Sequence, residues 1–311
     1  MAVSKIYDFH YGSSRAKSVN PLLFNSHPEP QNLICFQQSS ASLEKLAKIA
    51  IIDIKSRKLN PNNCNVYFLS GYVDLSERIL DPYYYIEKET PFTAIYRKHE
   101  EIVFREDVDT AISRMCNIIS QVSETITTFG AKPIFSTIPP ASLRVWNNLR
   151  LAQNKTKSLL FSDKYDEMNN NMIQALQKIN KFILNKNIQN FVSTPFTASC
   201  VIVNRPGFDK NGLRHPPSVH YDRLKDGVHP TDKLANAWSK AIIKAMKQNR
   251  GLLSYKTPSP NTTANSNLDE SMEIQRENEE SLWECINSRR EEKAREEAVQ
   301  SILFNRPTKF T

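Results

Sequence analysis

The feature of this sequence that most constrains its fold is the alternation of short apolar runs with longer amphipathic segments. Helical spacing of apolar residues marks the longer segments. Strands that alternate with helices favour a parallel sheet covered by helices on both faces. We therefore predict an α/β fold, a doubly wound five-stranded parallel sheet with strand order 2-1-3-4-5. The predicted strands lie in 4–11, 31–37, 63–72, 131–140 and 190–196, and the predicted helices in 40–58, 105–129, 164–187 and 231–248.

The segment 105–129 has the clearest helical pattern. Its apolar residues recur at intervals of three and four, and Gly130 stands where such a helix would end. In open parallel sheets the active site lies beyond the carboxyl ends of the strands. The sequence therefore predicts a site where Gly12, Gly71, Pro139 and the irregular stretch 204–230 come together.

Charge is unevenly distributed between the two parts of the chain. Residues 1–250 contain 33 Lys and Arg against 22 Asp and Glu, a net charge of about +11, whereas 251–311 contain 8 against 11, a net charge of about −3. A basic domain favours nucleic acid or another polyanion as a partner. A lysine-rich surface without such a partner explains the same excess, because the sequence has no block of consecutive basic residues.

The first residues and the cysteines bear on the cellular compartment. MAVSKIYDFHYG has no apolar leader of the secretory type, and no stretch approaches the length of a membrane span. The five cysteines are scattered and form no CxxC pair, which argues against a zinc site and a disulfide framework. We expect an intracellular protein, cytoplasmic or nuclear, without signal peptide, metal or cofactor.

The C-terminal part differs in composition from the rest. Residues 251–270 are rich in Pro, Ser, Asn and Thr, which predicts a flexible linker after an α/β domain of 1–250. Residues 271–311 are highly charged, with sparse apolar residues at four-residue steps. This pattern is typical of either a solvated helix or a disordered tail. The tail is a candidate segment for binding a protein partner.

An aspartate stands three residues before a histidine at the start of the last predicted helix. Asp226 in this position can hold one ring nitrogen of His229, so that the other nitrogen accepts a proton from a hydroxyl. The alternative is a capped turn, since D-x-x-H arises by chance in many sequences. The catalytic interpretation is favoured because the pair lies in the last loop of an α/β unit, directly before Pro230 and an amphipathic helix.

With this pair and the order of its other blocks, the chain resembles the SGNH (GDSL-type) hydrolase superfamily over roughly residues 1–250. "IYDFHYGSSRAKSV" is similar to the first block, a strand followed by G-D-S, and "FQQSSASLEKL" to the second. "VYFLSGYVDLS" resembles the third block, which ends in G-x-N-D, and "GAKPIFSTIPPAS" the fourth strand and its Pro-rich exit. "DGVHPTDKLANAWSKAI" looks like the last block. The resemblance implies a flavodoxin-like sheet of the SGNH hydrolase type.

The resemblance also implies roles for individual residues. Ser14 falls on the position of the nucleophile, with His229 as the base and Asp226 as the residue that orients it. Ser13 replaces the Asp of G-D-S and is a backup nucleophile. Ser40 stands where the family has its oxyanion Gly, so the backbone N–H groups of Ser14 and Ser40 are the implied oxyanion donors.

The third block departs from the family pattern at one position. Gly71 and Asp74 match the loop, but Val73 stands where the family has its oxyanion Asn, and valine has no donor. Loss of one oxyanion donor typically costs about 10²–10³ in rate. Structural roles compete with the implied ones, because Ser14 and Ser40 are residues that cap helices, and Asp74 is suited to hydrogen-bond the loop after the strand.

Two functions of different classes follow. The first is hydrolysis of a small acyl ester by a Ser-His-Asp triad with an incomplete oxyanion hole. The second is an SGNH-like binding module that has lost hydrolysis and binds RNA or another polyanion through the basic domain. Similar esterase-like domains occur in LINE-type retrotransposon proteins. The D-x-x-H pair favours the first function, whereas Val73 and the basic excess favour the second.

Overall fold

The computed structural model describes residues 5–80, 100–153, 159–203 and 218–253. The chain divides into two units, Met1–Tyr255 and Lys256–Thr311, and every described residue belongs to the first. Most of the predicted linker and all of the predicted tail lie outside the described residues, as do residues 204–217 of the predicted site loop. In the described part of the chain no helix is long and apolar enough to cross a membrane.

Eight strands and seven helices make up the described fold. The strands are β1 (Tyr7–Gly12), β2 (Leu33–Gln37), β3 (Cys64–Leu69), β4 (Glu77–Leu80), β5 (Glu100–Val103), β6 (Lys132–Phe135), β7 (Ile202–Val203) and β8 (Ser218–Val219). The helices are α1 (Asn20–Ser26), α2 (Leu43–Ser56), α3 (Tyr72–Leu75), α4 (Val108–Thr128), α5 (Leu143–Ala152), α6 (Tyr165–Gln189) and α7 (Asp232–Asn249).

The central sheet has four parallel strands in the order β2-β1-β3-β6. The prediction of a parallel α/β sheet is confirmed, and the first four predicted strands take the predicted order. Two short antiparallel pairs, β4-β5 and β7-β8, were not predicted. Their partners are separated by long stretches of chain, so no local turn signal marks them as hairpins.

Helices cover both faces of the sheet, as expected for a doubly wound fold. Side chains alternate along β3, so that Val66 and Phe68 pack into one core with α2, α4 and α6. Tyr67 and Leu69 point to the other face and pack against α7. That helix contributes the fully buried Trp238. The two cores place β1 and β3 at the centre of the molecule, with their carboxyl ends beside each other.

The sheet differs from the prediction at one edge, where the segment 190–196 does not form a fifth strand. At the outer edge of β6, backbone N–H and carbonyl groups form hydrogen bonds with a side chain instead of with another strand. The buried amide of Asn187 on α6 accepts from the Phe135 N–H at 3.1 Å and donates to the Phe135 carbonyl at 2.8 Å. The segment that was predicted as a strand contacts this edge through the Asn190 amide, which donates to the Pro133 carbonyl at 3.4 Å, and through the Pro195 carbonyl, which accepts from the Thr137 N–H at 3.1 Å.

The helix termini follow from capping residues in the sequence. Asp107 accepts hydrogen bonds from the first turn of α4, and Gly130 follows that helix with φ +97°, so the predicted stop is confirmed. Ser42 caps α2 by accepting from Lys45 N at 3.2 Å. Thr231 caps α7, so this helix begins three residues after His229.

A buried polar network lies at the amino ends of the strands, at the opposite end of the sheet from the predicted site. Asp8 on β1 is fully buried and accepts from His27, Asn65 and Arg250 at 2.9, 2.9 and 2.6 Å. Arg250 follows α7 and also bonds Glu29 at 2.8 Å. The network therefore ties the end of the last helix to the centre of the sheet.

Candidate functional site

Two distant parts of the sequence contribute three side chains to a continuous hydrogen-bonded chain beyond the carboxyl end of β1. The Nδ1 atom of His229 lies 2.7 Å from Asp226 Oδ2, and the Nε2 atom lies 2.9 Å from Ser14 Oγ. The side chains of His229 and Asp226 are 21% and 17% exposed, so the group lies at the surface without being fully solvated. With a proton on Nδ1, the histidine can accept the hydroxyl proton of Ser14 at Nε2.

Asp226 makes the contacts that both interpretations of the sequence require. Its Oδ1 atom accepts from the backbone N–H groups of Val228 and His229 at 3.0 and 2.7 Å, which is the capped turn. Its other oxygen holds the imidazole. Burial alone would raise the pKa of Asp226, but the hydrogen bonds from His229 and Val228 lower it below its usual value. The carboxylate is therefore charged at neutral pH.

The start of α5 supports the loop that contains Asp226 and His229. The Ser142 N–H donates to the Gly227 carbonyl at 2.7 Å. Gly227 has φ +82°, and a Cβ atom there would lie 2.7 Å from Ser142 O, so the close approach requires glycine. The ring of Trp146 lies 5.6 Å from the His229 ring, measured between centroids, and limits its rotation. Neither Ser142 nor Trp146 was among the residues predicted for the site.

Ser13 and Ser14 differ in their surroundings. Ser13 is 3% exposed, and its N–H donates to the Leu69 carbonyl at 3.4 Å. Ser14 begins a single 3₁₀ turn, Ser14–Ser18, and is partly exposed. Its hydroxyl contacts His229 rather than capping the turn, so the geometry favours Ser14 over Ser13 as a nucleophile.

Ser40 lies in the loop between β2 and α2, in a backbone conformation that glycine favours. Its φ is +60°, which is uncommon for a serine and fits the position where the resembled family has Gly. Its hydroxyl accepts from Arg78 Nη2 at 2.5 Å. Within the described ranges, no acceptor bonds the backbone N–H of Ser14 or of Ser40, so both donors are available to a ligand.

The loop after β3 is shaped by its glycine and its aspartate. Gly71 has φ +114°, and a Cβ atom there would lie 2.4 Å from Ile138 Cδ1. Asp74 accepts from Leu43 N with both carboxylate oxygens, at 3.2 and 3.1 Å, and so ties this loop to the start of α2. Burial raises the pKa of Asp74 to about 6. Asp74 thus makes a structural contact, and the side chain of Val73, between these two residues, offers no donor.

A buried arginine directly follows Ser14, and sequence analysis did not identify it. Arg15 is 3% exposed and donates to the carbonyls of Pro139 and Pro140 at 2.6 and 3.2 Å. Its guanidinium lies 4.5 Å from the centre of the Tyr72 ring. Burial lowers the pKa of Arg15 to about 10, while Tyr72 and Asp226 act in the opposite direction. The side chain therefore stays charged at neutral pH.

No model of a protein family matches the sequence, and no curated protein matches it. Solved structures that resemble the chain include a putative acylhydrolase from Bacteroides fragilis, 13% identical over 79% of this chain and 91% of that one, with a TM-score of 0.43. Another is a GDSL-like lipase from Bacteroides thetaiotaomicron, 15% identical over 80% and 89%, with a TM-score of 0.41. A lipase/acylhydrolase from Enterococcus faecalis is 12% identical over 81% and 100%, with a TM-score of 0.40.

Proposed function

We propose that this protein is a serine hydrolase of the SGNH type that cleaves acyl esters with Ser14, His229 and Asp226. The observation that supports the proposal is the unbroken chain of hydrogen bonds from Asp226 through His229 to Ser14. Asp226 and Ser14 occupy opposite ends of the α/β unit in sequence. A capped turn alone explains the contacts of Asp226 with the backbone, but it does not require a serine hydroxyl at the second ring nitrogen.

In the proposed reaction, Ser14 Oγ attacks the ester carbonyl carbon while His229 Nε2 accepts the hydroxyl proton. Asp226 stabilises the imidazolium that forms. The carbonyl oxygen becomes negatively charged and accepts hydrogen bonds from the N–H groups of Ser14 and Ser40. As the C–O bond to the alcohol breaks, His229 donates its proton to the departing oxygen. Water then attacks the acyl-enzyme by the same route and releases the acid and the free serine.

The test is hydrolysis of p-nitrophenyl acetate by wild type, Ser14→Ala, Ser13→Ala and His229→Ala, each checked for folding by circular dichroism. We expect Ser14→Ala and His229→Ala to fall to background and Ser13→Ala to retain most activity. Ser13→Ala is the matched control because it removes the adjacent hydroxyl, which is buried. Loss of activity in Ser13→Ala with retention in Ser14→Ala would contradict the assignment of the nucleophile.

The second candidate function is a binding module for RNA or another polyanion. It is favoured by Val73, which leaves the oxyanion hole with backbone donors only, and by the net charge of about +11 over residues 1–250. If folded wild type hydrolyses neither this ester nor longer-chain p-nitrophenyl esters, RNA binding is the next measurement. Affinity that falls steeply with added salt would support the binding module.

A further inference from the structure

Arg15, the residue directly after the proposed nucleophile in the sequence, brings a positive charge into the protein interior. The side chain is almost completely buried, and its two terminal nitrogens donate to the Pro139 and Pro140 carbonyls. Within the part of the chain that the structure describes, no carboxylate forms an ion pair with it. The Nε atom of Arg15 and the Oη atom of Tyr72 are both buried without a hydrogen-bond partner among those residues.

A buried guanidinium without a carboxylate is costly, because burial removes its hydration and carbonyl dipoles replace that only in part. Asp226 interacts with the Arg15 charge, but its oxygens already accept from His229 and the turn backbone. By contrast, the buried Arg250 at the other end of the sheet has two carboxylate partners, Asp8 and Glu29. The charge of Arg15 therefore remains available to interact with negative charge that appears at the site.

We propose that Arg15 is a positioning residue whose buried positive charge stabilises the oxyanion formed at Ser14, in place of the donor that Val73 lacks. This inference rests on the proposed hydrolase function and deepens it. Both unpaired atoms, Arg15 Nε and Tyr72 Oη, are shielded from solvent, so the effect acts through space and not by contact with the substrate. A fixed charge in a water-poor environment stabilises developing charge more than it would in water.

The positive charge of Arg15 also acts on His229, the proposed base, so the pH dependence of kcat/KM is a second measurement of its effect. His229 is faced by the Asp226 carboxylate, the Ser14 hydroxyl and the Trp146 ring, and Arg150 lies 5.5 Å from that ring. A nearby cation disfavours the imidazolium. Removal of the Arg15 charge is therefore expected to move the acid limb of kcat/KM to higher pH, which loss of packing alone would not do.

The experiment compares Arg15→Met, Arg15→Lys and Arg144→Met by steady-state hydrolysis of p-nitrophenyl acetate across pH, with Tm recorded for each. Arg144→Met is the matched control, because it removes a positive charge from an exposed residue of α5 near the site. We expect Arg15→Met to lose at least about 10-fold in kcat with little change in KM. Arg15→Lys keeps a positive charge at and below about pH 7, because burial lowers the pKa of a lysine from a value of about 10. In that range it should lose clearly less kcat than Arg15→Met at the same Tm loss.

Three results would overturn the inference. Equal losses in Arg15→Lys and Arg15→Met, without a shift of the acid limb, would mean that Arg15 only anchors the Pro139–Pro140 turn. A loss confined to KM, seen only with an ester that contains a carboxylate, would assign Arg15 to substrate binding. Active Arg15→Met with the pH profile of wild type would remove Arg15 from the reaction. In each case active wild type leaves the proposed hydrolase standing, whereas folded wild type that is inert towards this ester and towards longer-chain p-nitrophenyl esters would reject the hydrolase itself.

Discussion

Two aspartate–histidine pairs occupy opposite ends of the same sheet, and only one of them has the features of a catalytic pair. Asp226 and His229 lie beyond the carboxyl ends of the strands and are partly exposed. Asp8 and His27 lie at the amino ends and are completely buried as side chains. The distances within the pairs are similar, 2.7 and 2.9 Å, so distance alone does not distinguish them.

The pairs differ in what the second ring nitrogen contacts. In His27 the Nδ1 atom accepts from the Glu29 N–H at 3.1 Å, so Nε2 donates to Asp8 and neither nitrogen is left to accept a hydroxyl proton. In His229 the second nitrogen faces the hydroxyl of Ser14. An aspartate–histidine pair can therefore serve as a structural clamp or as a base, and the partner of the second nitrogen decides which.

The same substitution in both aspartates tests this comparison, and the larger effect is expected at Asp226. In Asp226→Asn, the amide nitrogen facing His229 favours the tautomer with its proton on Nε2, which cannot accept from Ser14. We expect a fall of about 10³–10⁴ in kcat and a change in unfolding free energy of at most about 1 kcal/mol. Ester hydrolysis and urea unfolding measure the two. Retention of activity within about 10-fold would break the comparison.

Asp8→Asn should lower stability and leave kcat unchanged, which is the reverse of the pattern expected for Asp226→Asn. The amide leaves the buried Arg250 with the partly exposed Glu29 as its carboxylate partner, and its NH₂ group faces other donors. We expect a loss of about 3–5 kcal/mol in unfolding free energy, measured by urea denaturation. kcat per folded molecule should equal that of wild type at a temperature where the variant is folded. A stable but inactive Asp8→Asn protein would show that the buried network is needed for the reaction.

A third histidine, His10, has no carboxylate partner among the described residues and should make stability depend on pH. Burial lowers its pKa to about 4, against the effect of its hydrogen bond to Asn20. The folded state therefore binds fewer protons than the unfolded state, and about 3 kcal/mol of stability should be lost as pH falls from 6.5 to 4.

Asp74 should change the free energy of unfolding in the opposite direction to His10 over nearly the same pH range. Its pKa is raised to about 6, so protonation favours the folded state and should return about 3 kcal/mol as pH falls from 6 to 3.8. In wild type, the effects of His10 and Asp74 on the free energy of unfolding nearly cancel. We expect the free energy of unfolding to fall more steeply with decreasing pH in Asp74→Asn than in wild type. In His10→Gln it should fall less steeply or rise. Urea unfolding at several pH values measures both, and unchanged slopes would contradict the assignment.

The smallest expected effect is a gain at the incomplete oxyanion hole. Val73→Asn introduces the side-chain donor that the resembled family has at this position. We expect kcat to rise by about 10-fold, less than the full value of such a donor, because the loop was not selected to orient it. Val73→Thr is the control for size and branching. A fall in kcat for Val73→Asn with unchanged Tm would indicate that this position does not face the oxyanion.

Much of the fold could be predicted because its signals are local. The four strands and the helices at 43–56, 108–128, 165–189 and 232–249 follow from apolar spacing and capping residues. The segment 190–196 has the composition of a strand, yet Phe191 is 95% exposed with φ +56°. It was predicted incorrectly because a buried amide from α6 already bonds the sheet edge, and composition does not reveal that competition.

The candidate site was only partly visible in the sequence. The grouping of Ser14, Asp226 and His229 was predicted from block order, whereas Arg15 was counted only as part of the basic excess. Charged residues are mostly exposed, so a buried one is identified only when its neighbours in space are known. A sequence signal exists in hindsight, since Arg15 lies three residues after the end of a buried strand, but spacing alone does not separate it from a surface arginine.

The amides of α6 also bear on how the molecule avoids association. A strand at the end of a sheet exposes unpaired N–H and carbonyl groups that can recruit a strand from another chain. Asn187 bonds both groups of Phe135, and Asn180, two turns earlier, bonds both groups of Ile138 at 2.6 and 3.1 Å. Two side chains thus occupy backbone groups of this border that another strand could otherwise bond. Because Asn187 and Phe135 are buried, loss of that amide would also leave two backbone groups unpaired in the interior and lower stability.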